Sequence, residues 1–204
     1  MKNVRMSVFV IFTCMTFAIT SCQQAGKNEA DAEATADEET ATVETTGETG
    51  EETSAEEQLP SPRRQAEGEI DGVTIKVDYG SPAVKGRTVW GELEKYGIVW
   101  RAGANETTSI EFSGDVTVNG NALPAGKYAI FMIPNENEDW IVIINEEWDA
   151  WGHFSYKEDK DVLRIPVAPD WADEVEERLA YSITGTAVNF AWEKARIGLE
   201  VKAQ

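Results

Sequence analysis

The chain has 204 residues, 42% of them hydrophobic, with 37 acidic side chains against 18 basic ones and a formal net charge of -19. That length fits one modest domain, and so negative a field repels phosphate backbones and anionic headgroups, which argues against nucleic-acid binding or adhesion through a basic surface. Both cysteines lie within the first 22 residues and His153 is the single histidine, so no disulfide frame, multi-His or Cys-ligated metal site, or thiol nucleophile can form further on.

Residues 1–21 read as a secretory leader. Lys2 and Arg5 precede an apolar run from Val8 to Ile19 that is too short to span a bilayer but suits a signal h-region. The end of that run, Ile19-Thr20-Ser21-Cys22, resembles the lipobox of bacterial lipoproteins. The resemblance implies cleavage before Cys22, palmitate-type acylation of that cysteine and stable attachment to a membrane by several acyl chains. Gln23 in place of Asp implies sorting to the outer membrane, with the side it faces left open.

Residues 22–66 contain almost no aliphatic side chain beyond Val43 and Leu59 and no aromatic one. Such a stretch cannot form a core, and its like charges favour an extended, solvated tether. The early acidic residues Glu29, Asp31 and Glu33 also suit a surface-export signal just after the cysteine. Pro60 and Pro62 then stiffen the chain ahead of Arg63-Arg64.

All seven tryptophans lie between Trp90 and Trp192, which places the globular domain at about residues 67–204, a size able to bury its own core. Apolar residues there recur mostly at period two: Val73, Ile75, Val77 and Tyr79; Ile110 and Phe112; Leu163, Ile165 and Val167; Ile197, Leu199 and Val201. Tyr128 to Ile133 and Trp140 to Ile144 are apolar throughout, as central strands covered on both faces are. Asn119-Gly120 marks a hairpin between Val116–Val118 and Asn121–Leu123, and Gly185 separates two further strands. The expected fold is therefore all-β, an antiparallel β-sandwich of about nine to ten short strands, with one long loop and one or two single-turn helices. Those helices are expected at Gly91 to Lys95 and from Asp170 onward, where Asp170 follows Pro169 and can cap a turn carrying Trp171 and Val175.

Phosphate-loop, dinucleotide, nucleophile-elbow and zincin motifs are absent. Asn135 to Asp139 is rich in oxygen ligands but lacks the glycine and distal glutamate of an EF-hand, and reads as a polar turn. No cofactor or metal is implied.

The long loop between Tyr79 and Thr107 interleaves aromatic and charged residues, which a plain linker does not need. Several motifs, Val84-Lys-Gly-Arg87, Trp100-Arg101-x-Gly103-Ala-Asn105-Glu106-Thr107, Leu123-Pro-Ala-Gly126-x-Tyr128, Trp151-Gly-x-Phe154-x-Tyr156 and Lys160-Asp-Val-Leu163-Arg164, together resemble a bacterial family known as domain of unknown function 2911, found mostly in exported proteins. The resemblance covers residues 69–204 and implies no substrate or catalytic residue. From the residues themselves, Arg87, Trp100, Arg101, Asn105, Glu106, His153 and Tyr156 form the candidate set for a small polar or carbohydrate-like ligand, with Trp148, Trp151 and Tyr156 offering faces for sugar rings. An enzymatic reading makes the domain a hydrolase or lyase with His153 as base, Glu106 orienting it and Arg101 stabilising an anion. A structural reading keeps the domain as an envelope module, with Arg101 and Glu106 buried and paired as ties that hold the loop.

Overall fold

A computed structural model describes residues 60–154 and 156–204; the leader, Cys22 and most of the tether lie outside the described residues. Among the described residues ten strands form two antiparallel sheets. The larger runs in the order β1 (Arg63–Ile70), β2 (Val73–Gly80), β3 (Ser109–Phe112), β6 (Gly126–Ile133), β7 (Trp140–Asn145) and β8 (Asp161–Val167). The smaller runs β5 (Asn121–Leu123), β4 (Val116–Val118), β10 (Ala187–Ala203) and β9 (Asp170–Thr184).

The core lies between them. Ile75, Val77, Ile110, Ile130, Met132, Val142 and Ile144 from the larger sheet join Val116, Leu123, Leu179, Phe190, Trp192, Ile197 and Val201 from the smaller in one buried cluster, the outcome that period-two alternation dictates when each sheet hides one face. β6 and β7 are covered twice, as their unbroken apolar runs require. Ile130 and Met132 face the main core, while Ala129, Phe131 and Ile143 form a second cluster under Val99, Ile141 and Tyr156.

The Asn119-Gly120 hairpin forms as expected, with Val118 opposite Asn121 and φ of 46° and 80° at the two turn residues, the positive values that a two-residue turn of this hand demands.

Three expectations are corrected. The folded part begins at Arg63, before residue 67, because Arg63 to Ala66 continue an edge strand paired residue for residue with Val77 to Gly80. Asp170 onward is no helix. It is the start of a 15-residue strand whose first residues, Asp170 and Trp171, pair with Arg196 and Ala195, past two register shifts in β10 that let so long a ribbon twist. Gly91 to Lys95 is likewise a pair of tight turns, closed by Gly91 N–H to Glu94 O (2.8 Å) and Glu94 N–H to Val89 O (2.9 Å). The one helical turn among the described residues is a 3-10 turn at Glu158–Lys160.

The long loop, from Gly80 to Ser109, is folded against the sandwich by specific bonds. Trp100 exchanges backbone hydrogen bonds with Met132 (both 2.8 Å), extending the β3 edge of β6. Trp90, Trp100, Trp140 and Trp192 pack in one group, with Trp90 edge-on to the other three and Trp100 stacked on Trp192 at 5.6 Å. Ala102 carries a left-handed φ of 50°, a conformation that costs an alanine strain. Its carbonyl accepts from Thr108 Oγ1 (3.2 Å) and Tyr181 Oη (2.9 Å), and these bonds offset the strain. Tyr181→Phe should remove the shorter one and leave a buried carbonyl with one partner fewer, for a loss of roughly 1–2 kcal/mol by denaturant unfolding; a change under a few tenths would mean that Thr108 alone holds the loop.

Candidate functional site

The folded loop encloses a cleft of about 210 Å³ lined by Ser61, Pro82, Arg87, Leu93, Glu94, Arg101, Gly103, Ala104, Asn105 and Trp192. Each wall has a local cause. The strap Ser61–Pro62 enters just ahead of β1 and is tied by Asn105 Nδ2–H to Ser61 O (3.2 Å) and by Ser81 N–H to Pro62 O (2.8 Å). Asn105 sits at φ 62°, a left-handed position that asparagine tolerates better than most residues. Gly103 and Ala104 press on the end of β2, where Ala104 N–H reaches Gly80 O at 3.2 Å. Trp192, wholly buried on β10, completes the lining from the smaller sheet.

Two residues of the cleft lining carry hydrogen-bond donors that have nothing to bond. Among the described residues the buried side-chain nitrogens without a partner are Trp90 Nε1, Arg101 Nε, His153 Nδ1 and Trp192 Nε1. Arg101 and Trp192 line the cleft, Trp90 packs directly on Trp192 at 5.6 Å, and the charge of Arg101 bears on His153. A buried donor left unpaired costs about 1–3 kcal/mol, so the two at the cleft call for an explanation. Arg87 stands at the exposed rim, where its guanidinium is oriented by the carbonyls of Val84 (2.9 Å) and Ala83.

Glu94 is the residue that sequence reasoning missed. Half-buried in the cleft, its carboxyl forms no hydrogen bond or ion pair with any described side chain. Burial pushes its pKa up from 4.5 to about 7, against the opposing pull of Arg101 and then Arg87. No motif marks Glu94, because its environment is created by Trp192 and the strap, both distant in sequence. Arg101 also bears on His153, whose pKa is lowered by burial and then by the guanidinium charge.

The other expected site residues divide. Trp100 is buried, donates from Nε1 to Gly103 O (3.1 Å) and supports the cleft from beneath. Glu106 is 48% exposed at its side chain and reaches Arg63 at 3.5 Å; no hydrogen bond joins it to His153 among the described residues. Tyr156 donates to Asp161 Oδ2 (2.7 Å) and accepts from Arg164 Nη1 (3.0 Å), and burial followed by that aspartate pushes its pKa up to about 12. The expected burial and pairing of Arg101 and Glu106 as loop ties is not what the structure contains, since Glu106 is exposed and Arg101 Nε is unpaired. Other groups tie the loop: Glu177 Oε1, accepting from Lys85 N–H at 2.9 Å, Arg178, donating to Ser81 O at 3.2 Å, Trp100, Thr108 and Tyr181, with Thr107 Oγ1–H to Gly152 O at 2.8 Å.

That last bond and Thr107 N–H to Ala150 O (3.2 Å) fix an aromatic loop beside the cleft, on which Trp151 and Phe154 are 64% and 84% exposed. A larger hollow, about 430 Å³, lies over the β9–β10 ribbon near Asp170, Ser182, Asn189 and Arg196. Its guanidinium is already bonded to the carbonyls of Glu193, Ala195 and Glu174, each at 3.0 Å, so it offers less unused bonding capacity than the smaller cleft. No group of three or more His, Cys, Asp or Glu suited to a metal occurs among the described residues.

No curated protein and no solved structure matches the chain. A family model described as a protein of unknown function, DUF2911, matches residues 61–201, a span that takes in the cleft, its strap and all of the strands but the last two residues of β10; the chain belongs to that family.

Proposed function

We propose that the domain binds a small polar ligand bearing an anionic group, and that it does so in the cleft of Arg87, Glu94, Arg101 and Trp192. The observation that carries this is the set of unused donors: Arg101 Nε and the Trp192 indole N–H are buried without partners, and both residues line one cavity. Donors cluster where an acceptor is to come. Guanidinium groups hold carboxylate and phosphate oxygens with directed, charge-assisted bonds, and a partly desolvated wall strengthens them. The fixed aromatic surface of Trp151 and Phe154 beside the cleft suits an adjoining apolar or sugar-ring portion of such a ligand.

Sulfate serves as the probe. Titration calorimetry at constant ionic strength should show one site per chain, and Arg101→Met should weaken it by at least tenfold. The melting temperature should stay level or rise, because the arginine is unpaired in the folded protein. Weakened binding together with a fall of several degrees would make Arg101 a structural tie and refute the reading.

The leader, Cys22 and the acidic tether support a second part of the proposal, that the domain is held at the cell envelope by a lipid on Cys22, on the outer membrane. Labelled palmitate should enter the parent chain, and the Cys22→Ser variant should carry none; label retained by the variant would refute the anchor.

A further inference from the structure

We propose that the cleft takes up its anion together with a proton, carried by Glu94, so that its ligands are oxyanions with a lone pair free to accept from a protonated carboxyl. This rests on the anion-binding reading of the cleft. Glu94 lines the same 210 Å³ cavity as Arg87, Arg101 and Trp192, so an anion held by the guanidiniums lies within a few ångströms of its carboxyl. Two like charges at that range in a partly desolvated site repel strongly. Protonation removes the repulsion and turns the carboxyl into a donor. The anion and the proton therefore each favour the other, a reciprocity that linkage requires whatever the starting affinity.

The charged surroundings favour Glu94 as the group that titrates. Arg101 and Arg87 are the cations that bear on it, and burial already pushes its carboxyl up to about 7. Arg63, on the strap side, is taken by Glu106. Glu193, next to Trp192 on β10, accepts from the Lys194 N–H at 2.6 Å. His153 also feels the charge of Arg101; burial and then that charge lower its pKa from the ordinary imidazole value. A protonated carboxyl sharing a cavity with two guanidiniums selects for a strong acceptor, such as a carboxylate, sulfate or phosphate oxygen, over halides and neutral sugars.

Sulfate does not itself titrate near neutrality, so protons that move on binding belong to the protein. Calorimetry of the full chain at about pH 8, in two buffers of different ionisation enthalpy, should show uptake of about one proton per sulfate, falling towards zero at about pH 5.5. Affinity should drop by roughly tenfold per pH unit above 7. Glu94→Gln should abolish both the uptake and the pH dependence while still binding sulfate; His153→Asn should preserve both. Binding by the parent without proton uptake would overturn the coupling and leave the anion reading standing. Uptake that survives Glu94→Gln and disappears in His153→Asn would move the proton to the histidine and overturn the assignment to Glu94. Absence of sulfate binding by the parent at either pH would overturn the anion reading and the coupling together.

Discussion

Gly80→Ala should be among the most damaging one-methyl changes in the domain, lowering stability by about 2–4 kcal/mol and abolishing sulfate binding in whatever remains folded. A Cβ at residue 80 would lie 2.0 Å from the Ala104 carbonyl oxygen and 2.8 Å from its carbon. The obstruction is backbone, which cannot swing aside as a side chain can. Ala104 N–H is at the same time bonded to Gly80 O, so the end of β2 and the loop grip each other from both directions and relief must come from moving Gly103 to Asn105. Those residues are a wall of the cleft. A change at the opposite end of β2, Gly72→Ala, meets no atom within 4 Å but forces a positive φ of 84°. It therefore separates conformational strain from collision, and should cost about 1–2 kcal/mol with binding retained. Equal losses for the two variants, with binding retained in both, would show that the loop is free to withdraw from β2.

Glu94→Gln should stabilise the protein at pH 8 and leave it unchanged at pH 4. A folded-state pKa raised from 4.5 to about 7 means that the fold prefers the neutral carboxyl. The associated stability is fully present below pH 4.5 and is lost as pH rises through 7. That span corresponds to roughly 3 kcal/mol between the two protonation states, and partial solvation of a half-buried group reduces what is realised. A gain of about 1–2 kcal/mol, or on the order of 5 °C in melting temperature, is expected for the variant at pH 8. The two melting curves plotted against pH should coincide in acid, separate between 4.5 and 7 and run parallel above. His153 has the opposite sign. Its depressed pKa gives stability present above 6.5 and lost as pH falls through its folded value. Parallel curves throughout would show that Glu94 is ordinarily solvated.

Most of the architecture was legible because it follows from local rules. Val73 to Tyr79 alternate and become β2; the unbroken apolar runs become the doubly covered β6 and β7; Asn-Gly at 119–120 makes its hairpin. The misreadings are as instructive. Arg63 to Ile70 shows the alternation of an edge strand only faintly, since Ile70 alone in it is buried, although Asp71-Gly72, with φ of 51° and 84°, carries the same hairpin signal as Asn119-Gly120. Trp171 and Val175 stand four apart, as on a helix face, yet both are about half exposed and the segment is held extended by β10. In the cleft, Arg87, Arg101 and Asn105 were visible as chemistry in a long loop. Glu94 was not, because what makes a carboxyl unusual is the dielectric around it, and that is set by Trp192 and Ser61 after folding.

The strap that ties Ser61 to Asn105 means that the domain's boundary and its site coincide. A fragment trimmed at residue 67, where apolar alternation is first evident, would forfeit half of an edge strand along with one lip of the cleft. It could keep its core and its spectrum and still fail every binding assay, and that failure would report the cut alone. The stretch of chain arriving from the tether is thus built into the proposed recognition surface, and the start of any useful fragment is fixed by the cleft rather than by where the hydrophobic pattern begins.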